Sequence, residues 1–229
     1  MNRILITALF AAAPALCQTG FPFTDETLHY SINWPSGLSL GEAAFAAHKT
    51  AAGWTLEASG DAGIPAFSIS DRFVSTATPD LCSLELIREV SHGGRKSREK
   101  TTFDQQRNTA QRVTTLPEGG GVTDFDTHTC ARDAVAFLYF ARREMGQGRV
   151  APVETVYLGG AYSVRMEYTG AVNIRSGGKP AVTDHVNVSI KGPKANLTIE
   201  IFFARDAART PLEVRIPLTA GAFQMVLVQ

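Results

Sequence analysis

The sequence predicts a mainly β fold: a curved antiparallel sheet, half-barrel or open barrel, packed around one α-helix. Three observations predict it. Most of the chain alternates apolar and polar residues with period two, the pattern of strands that bury one face. Breaks rich in Gly, Pro, Ser and Asn separate these runs at hairpin spacing. A single stretch, residues 131–145, instead carries apolar residues at helical spacing. Many strands in hairpin order with one amphipathic helix need a concave sheet face to cover that helix.

The elements follow in order. Residues 27–34 put Leu28, Tyr30, Ile32 and Trp34 on one face, and Pro35-Ser36-Gly37 turns the chain. Residues 41–48 and 54–59 form the next pair, with Ala43, Phe45 and Ala47 inward on one arm and Trp54, Leu56 and Ala58 on the other. Extended structure resumes over 67–76 around Asp71-Arg72-Phe73. Residues 81–90 and 97–103 flank His92-Gly93-Gly94, a hairpin signal because glycine accepts positive φ. Its arms are heavily charged, and a solvated hairpin face is expected. Residues 108–115 read as a strand and 116–126 as a loop.

The helix over 131–145 aligns Ala134, Phe137, Leu138, Ala141 and Met145. Thr129 or Cys130 is placed at its cap, Asp133 in its first turn and Arg142 and Arg143 near its end, in keeping with the helix dipole. Strands then resume over 153–158, 162–168, 171–175 and 181–190. Two further runs, 197–203 and 212–218, are joined by a charged link containing Asp206, Arg209 and Pro211, and Phe223, Met225 and Leu227 end the chain on one strand face.

The first residues read as a leader. Met1-Asn2-Arg3 carries one positive charge, residues 4–15 are almost wholly apolar, and the first acidic residue is Asp25. A short apolar core behind a positive charge describes a secretory signal peptide. The expected organisation is a signal peptide at 1–17, a linker at 18–26 and a single β-rich domain at 27–229. Lipobox cysteines follow a small residue, whereas Leu16 precedes Cys17, so no lipid anchor is expected there.

Export also sets the expectation for the other two cysteines. An oxidising compartment favours a disulfide, and Cys82 and Cys130 can pair in only one way. The bond would close a loop of roughly 50 residues, worth on the order of 3–4 kcal/mol in the chain-entropy model.

Composition narrows the function classes. The 229 residues are 44% hydrophobic and 19% charged, which suits a globular domain rather than a disordered chain. The formal net charge of +0 argues against a general nucleic-acid binder, which would be basic. None of the five histidines has the i, i+4 spacing of zinc hydrolases; His128 and Cys130 are near one another but lack further ligands. No Gly-x-Ser-x-Gly elbow is present. Accordingly no catalytic residue, cofactor or metal is expected. Asp71 with Arg72, and Asp206 with Arg209, are the charged pairs that stand out; capping or ion-pair roles are favoured for them over a binding role. Asn187-Val188-Ser189 and Asn196-Leu197-Thr198 match the short glycosylation pattern.

Four stretches in order resemble the domain-of-unknown-function 3108 family of exported bacterial envelope proteins. They are Glu26 to Tyr30 with Trp34 and Gly41-Glu42-Ala43; Ser70-Asp71-Arg72-Phe73; Asp133 to Arg142; and Phe203 to Asp206 with Arg209-Thr210-Pro211-Leu212. The likeness covers residues 26–228. It implies a periplasmic or envelope location and a sheet wrapped partly round a helix, similar to the half-barrels of the Lol lipoprotein carriers. It brings no catalytic residues. Cys82 and Cys130 lie outside the family's general pattern.

The expected function is a non-enzymatic periplasmic or cell-envelope module that buries a lipid or other hydrophobic ligand in the concave sheet. Phe137, Tyr139, Phe140 and Met145 are the candidates for lining residues, or for plain core. Asp71, Arg72, Asp133, Asp206 and Arg209 are expected to be structural. The alternative is an envelope interaction protein that docks through sheet edges or the charged 81–103 hairpin; a secreted hydrolase is the weakest reading.

Overall fold

The computed structural model describes residues 25–64, 67–116, 120–176, 178–218 and 221–228. The predicted signal peptide and Cys17 lie outside the described residues. The strands are β1 (Asp25–Asn33), β2 (Ser39–Thr50), β3 (Gly53–Ile64), β4 (Phe67–Ala77), β5 (Ser83–His92), β6 (Arg95–Asp104), β7 (Thr109–Leu116) and β8 (Val122–Asp126). The short β9 (Arg132–Asp133) leads into helix α1 (Ala134–Gly146). After the helix come β10 (Glu154–Tyr157), β11 (Ala161–Ser176), β12 (Lys179–Gly192), β13 (Ala195–Ala204), β14 (Pro211–Leu218) and β15 (Gly221–Val228).

All 15 strands form one sheet in the order β8-β7-β6-β5-β4-β3-β2-β1-β15-β14-β13-β12-β11-β10-β9. Every pairing is antiparallel except β9 with β10. The first and last strands pair at the middle of the sheet, with His29 opposite Val228 and Asn33 opposite Gln224. The short link of residues 127–131, just ahead of the helix, joins the two outer edges. Register shifts in β1, β4, β6, β11 and β13 supply local bends.

The sheet is not closed by a ladder; it is rolled like a scroll. Neighbouring residues on a strand point to opposite faces. On β10, Val156 belongs to the main core, whereas Tyr157 packs with Leu86, Phe103, Ala110 and Ala131. The β5–β8 wing therefore laps over the outside of the β9–β10 edge. Tyr157 meets Phe103 and Phe125 at ring-centroid distances of 5.8 and 5.5 Å. Arg112 Nη1 donates to the Gly159 carbonyl at 2.6 Å, and His128 Nε2 lies 2.9 Å from the Thr155 carbonyl.

The Cys82–Cys130 disulfide forms across this seam, with Cα atoms 4.7 Å apart. Beside it the Ser83 amide donates to the Ala131 carbonyl at 2.9 Å. Gln105 Nε2 donates to the carbonyls of Ser83 and Ala131 at 2.5 and 3.1 Å.

The helix begins at Ala134, three residues later than its apolar pattern suggests, and its cap is Asp133. The reason is tertiary: residues 132–133 are held as a bridge to β10, and Cys130 sits at φ 57. The Asp133 carboxylate accepts from the amides of Val135 and Ala136 at 2.9 and 3.0 Å. Helix residues on almost every side are buried, so the helix is enclosed by the scroll and is not a lid on it. Two further expectations are corrected. Part of the loop read over 116–126 is a strand, β8, because β7 offers it a free edge. The two strands read over 162–175 are one, β11, whose bulge between Tyr168 and Gly170 absorbs the break.

Candidate functional site

The site is an apolar cavity between the helix and the concave sheet. It starts from small side chains. Ala43 pairs with Gly60, Phe45 with Ala58, and Gly41 with Ala62 on β2 and β3. Five of these six positions, Ala43, Phe45, Ala58, Gly60 and Ala62, line a cavity of about 480 Å³, and all but Phe45 are small. Small residues at inward positions leave the space that larger ones fill further along, where Leu56 and Trp54 are core.

Ala134, Val135 and Leu138 form the helix wall, Ile32, Phe223, Met225 and Ile216 one flank, and Ile69, Phe73 and Leu158 the other. A second apolar cavity of about 280 Å³ shares Phe45, Ala134, Leu138, Ile216 and Met225 with the first. Leu138 stands between the two. Each volume is near or within the roughly 300–1,000 Å³ common for small-molecule sites.

Asp71, paired with Gly60, is the polar side chain that faces the larger cavity; Ser59, paired with Arg72, borders it through its backbone. Asp71 Oδ1 lies 2.8 Å from His92 Nε2. Arg72, its neighbour in sequence, faces the other side of the sheet, reaching Glu57 at 3.2 Å and Glu89 at 3.8 Å. The structure thus separates the two residues as a pair.

The other singled-out residues fall into place as follows. Phe137 lines the smaller cavity. Tyr139 and Phe140 are buried in the core, where Phe140 lies under the guanidinium of Arg132 at 3.6 Å. Met145, also core, edges a separate hollow beside Tyr168, Asp184 and Arg209. Burial pushes the Tyr139 and Tyr30 phenols well above their ordinary range.

Asp133 is fully buried and accepts from Ser75 and Ser83 hydroxyls at 2.5 and 2.6 Å besides capping the helix. Burial, the largest influence, raises its pKa, and these four hydrogen bonds pull it down. Asp206 caps its own turn, accepting from the Thr210 amide at 3.1 Å and hydroxyl at 2.8 Å. Arg209 pairs instead with Asp184 at 2.5 Å, which also takes Arg205 at 2.9 Å. Cys130 is consumed by the disulfide, and both ring nitrogens of His128 face carbonyls, of Thr129 and Thr155. Among the described residues no group of three or more His, Cys, Asp or Glu side chains is placed to hold a metal.

Sequence reasoning chose the large helix residues and passed over Ala134, Val135 and Leu138, which face the cavity. The available signal was the run of Ala and Gly at inward positions of β2 and β3.

The fold and cavity define a barrel-like β protein with an enclosed helix. Residues 28–228 match the model of the family described as protein of unknown function DUF3108, and the chain belongs to that family. Among solved structures it is similar to a beta-barrel-like protein of domain of unknown function DUF1849 from Brucella abortus. That likeness has a TM-score of 0.65 at 9% identity and covers 90% of this chain and 96% of the other. It is a likeness of fold. No curated protein matches the sequence.

Proposed function

We propose that the chain is a non-enzymatic, exported envelope module that holds an acyl chain or similar apolar segment in the cavity over α1. The observation that carries this reading is the continuous apolar lining around Leu138, with the polar side chain Asp71 confined to one side. Burying apolar ligand surface there contributes about 25 cal/mol per Å² removed from water. The disulfide and the absence, among the described residues, of a helix long and apolar enough to cross a membrane are compatible with export.

Native mass spectrometry of protein purified from its own host, followed by lipid extraction, tests the proposal. A co-purifying amphipath that is lost in a Leu138→Trp variant of unchanged thermal stability is the expected result. An apo protein in both samples, together with no displacement of a fluorescent fatty acid, overturns it.

One observation favours a second reading, docking through a sheet edge. Among the described residues β8 pairs only with β7, and Val122 at its start is 60% exposed. An extended partner segment could add there as a further strand.

A further inference from the structure

The ends of the scroll differ in chemistry. The cavity opens toward the end reached by the close of β1, β3 and β5 and the start of β2, β4 and β6, since Ile32, Ala62 and Ile69 line it there. The β12–β13 turn belongs to the same end, because Gly160, in the β10–β11 turn, lies against Pro193. That β10–β11 turn also touches the wing: a Cβ at Gly159 would sit 3.1 Å from Glu99. Rolling the sheet thus brings the tips of β5–β6 and β12–β13 to two sides of one seam.

Those tips carry Arg95, Lys96, Lys191 and Lys194, all exposed. None of the four has an ion-pair partner among the described residues. The contrast within one hairpin is informative: lower on β5–β6, Arg88 pairs with Glu99, Arg98 with Glu89 and Lys100 with Glu85. Only the cations at the tip are left free. Apolar side chains share this end, with Leu38 65% exposed in the β1–β2 turn and Val122 60% exposed at the start of β8. The nearby acids Glu42 and Asp61 neighbour cavity-lining Ala43 and Ala62 and so face outward from the wall.

We infer that this end is a docking face for an anionic phospholipid surface, with the cavity mouth turned toward the bilayer. Unpaired Lys and Arg around exposed apolar tips are the two components of interfacial binding: basic groups meet anionic headgroups while apolar tips enter the headgroup boundary. The inference goes beyond ligand binding in the cavity, because docking requires no occupant.

Flotation of the protein with phosphatidylcholine vesicles, with or without phosphatidylglycerol, tests it. Wild-type protein is expected to favour the phosphatidylglycerol vesicles by about tenfold or more and to lose that preference as salt rises. Combined Arg95→Glu, Lys96→Glu, Lys191→Glu and Lys194→Glu substitution should abolish the preference without altering the circular-dichroism melt. Leu38→Asp alone should weaken it. A Leu138→Trp protein, whose cavity is filled, should keep it, which separates docking from cavity binding. Equal partition into both vesicle types, no partition into either, or an unchanged preference in the charge-reversed protein overturns the inference. Retention on heparin without vesicle binding also overturns it and assigns the tips to an acidic macromolecule.

Discussion

Arg142 and Glu26, separated by 116 residues of sequence, form a two-pronged ion pair with nitrogen–oxygen distances of 2.7 and 2.9 Å. The Arg142 side chain is 1% exposed, and its Nε donates to the Ala208 carbonyl at 3.1 Å. One guanidinium thus fixes the enclosed helix to β1 and to the β13–β14 turn. Nearby, the Tyr30 hydroxyl donates to the Pro211 carbonyl at 2.7 Å, tying the same two pieces of sheet.

Removing one member of this pair strands the other. Glu26→Gln or Arg142→Met is expected to destabilise by about 3–5 kcal/mol, while the double substitution should cost clearly less than their sum. Urea unfolding of the four proteins in the cycle measures this. A fully additive cycle would mean that the pair contributes no coupling.

Asp133 gives a prediction that depends on pH. Its folded-state pKa lies above the ordinary carboxyl value, so the native state binds the proton more tightly than the unfolded chain. Its contribution is therefore greatest below about pH 4 and declines as pH rises through the folded-state value. Asp133→Asn, which cannot ionise, should gain on wild type as pH rises through that window. Asp133→Ala loses the cap and leaves two serine hydroxyls unpaired; it should share that pH trend but lie below Asp133→Asn by roughly 2–4 kcal/mol throughout. Thermal melts from acid to neutral pH distinguish the two.

The disulfide closes a loop with a sequence separation of 48. Replacing both cysteines by serine should lower stability by on the order of 3–4 kcal/mol. Because Gln105 and the Ser83 amide hold the same seam, the far-ultraviolet spectrum should still be that of a β protein. Loss of the spectrum on reduction would show that the covalent bond alone holds the seam.

Gly41 tests the close approach of β2 and β3. A Cβ there would collide with the Asp61 carbonyl oxygen and the Ala62 backbone, neither of which can swing away. Gly41→Ala should destabilise by several kcal/mol, at the upper end for single substitutions. Gly94→Ala, with open space around it, should cost only the strain of its φ of 92. Parallel unfolding curves compare the two.

Much of the fold was legible because alternation is local. Ile199 and Ile201 on β13 and Val214 and Ile216 on β14 all face the core side, as their spacing requires. The disulfide was legible from cysteine arithmetic. The scroll was not, because alternation says that a face is buried without saying which strand covers it. The consecutive apolar residues Val156, Tyr157 and Leu158 were the local trace of a strand covered on both sides. The helix start was obscured because a side chain fixes it: Asp133 caps by reaching serines on β4 and β5, far away in sequence. The cavity was missed for a related reason. Bulk draws the eye to Tyr139 and Phe140, yet empty space is made by what is small.

The pairing of β1 with β15 has a bearing on biogenesis. A ribosome delivers β15 after the other fourteen strands, and among the described residues it alone joins β1 to β14. Until it arrives, the chain holds two separate half-sheets, β1–β8 and β9–β14, connected through residues 127–131, each with an open inner margin able to recruit a stray strand. The eight residues of β15, Gly221–Val228, therefore act as a keystone, and a chain clipped before them would be expected to aggregate rather than to shrink by one strand.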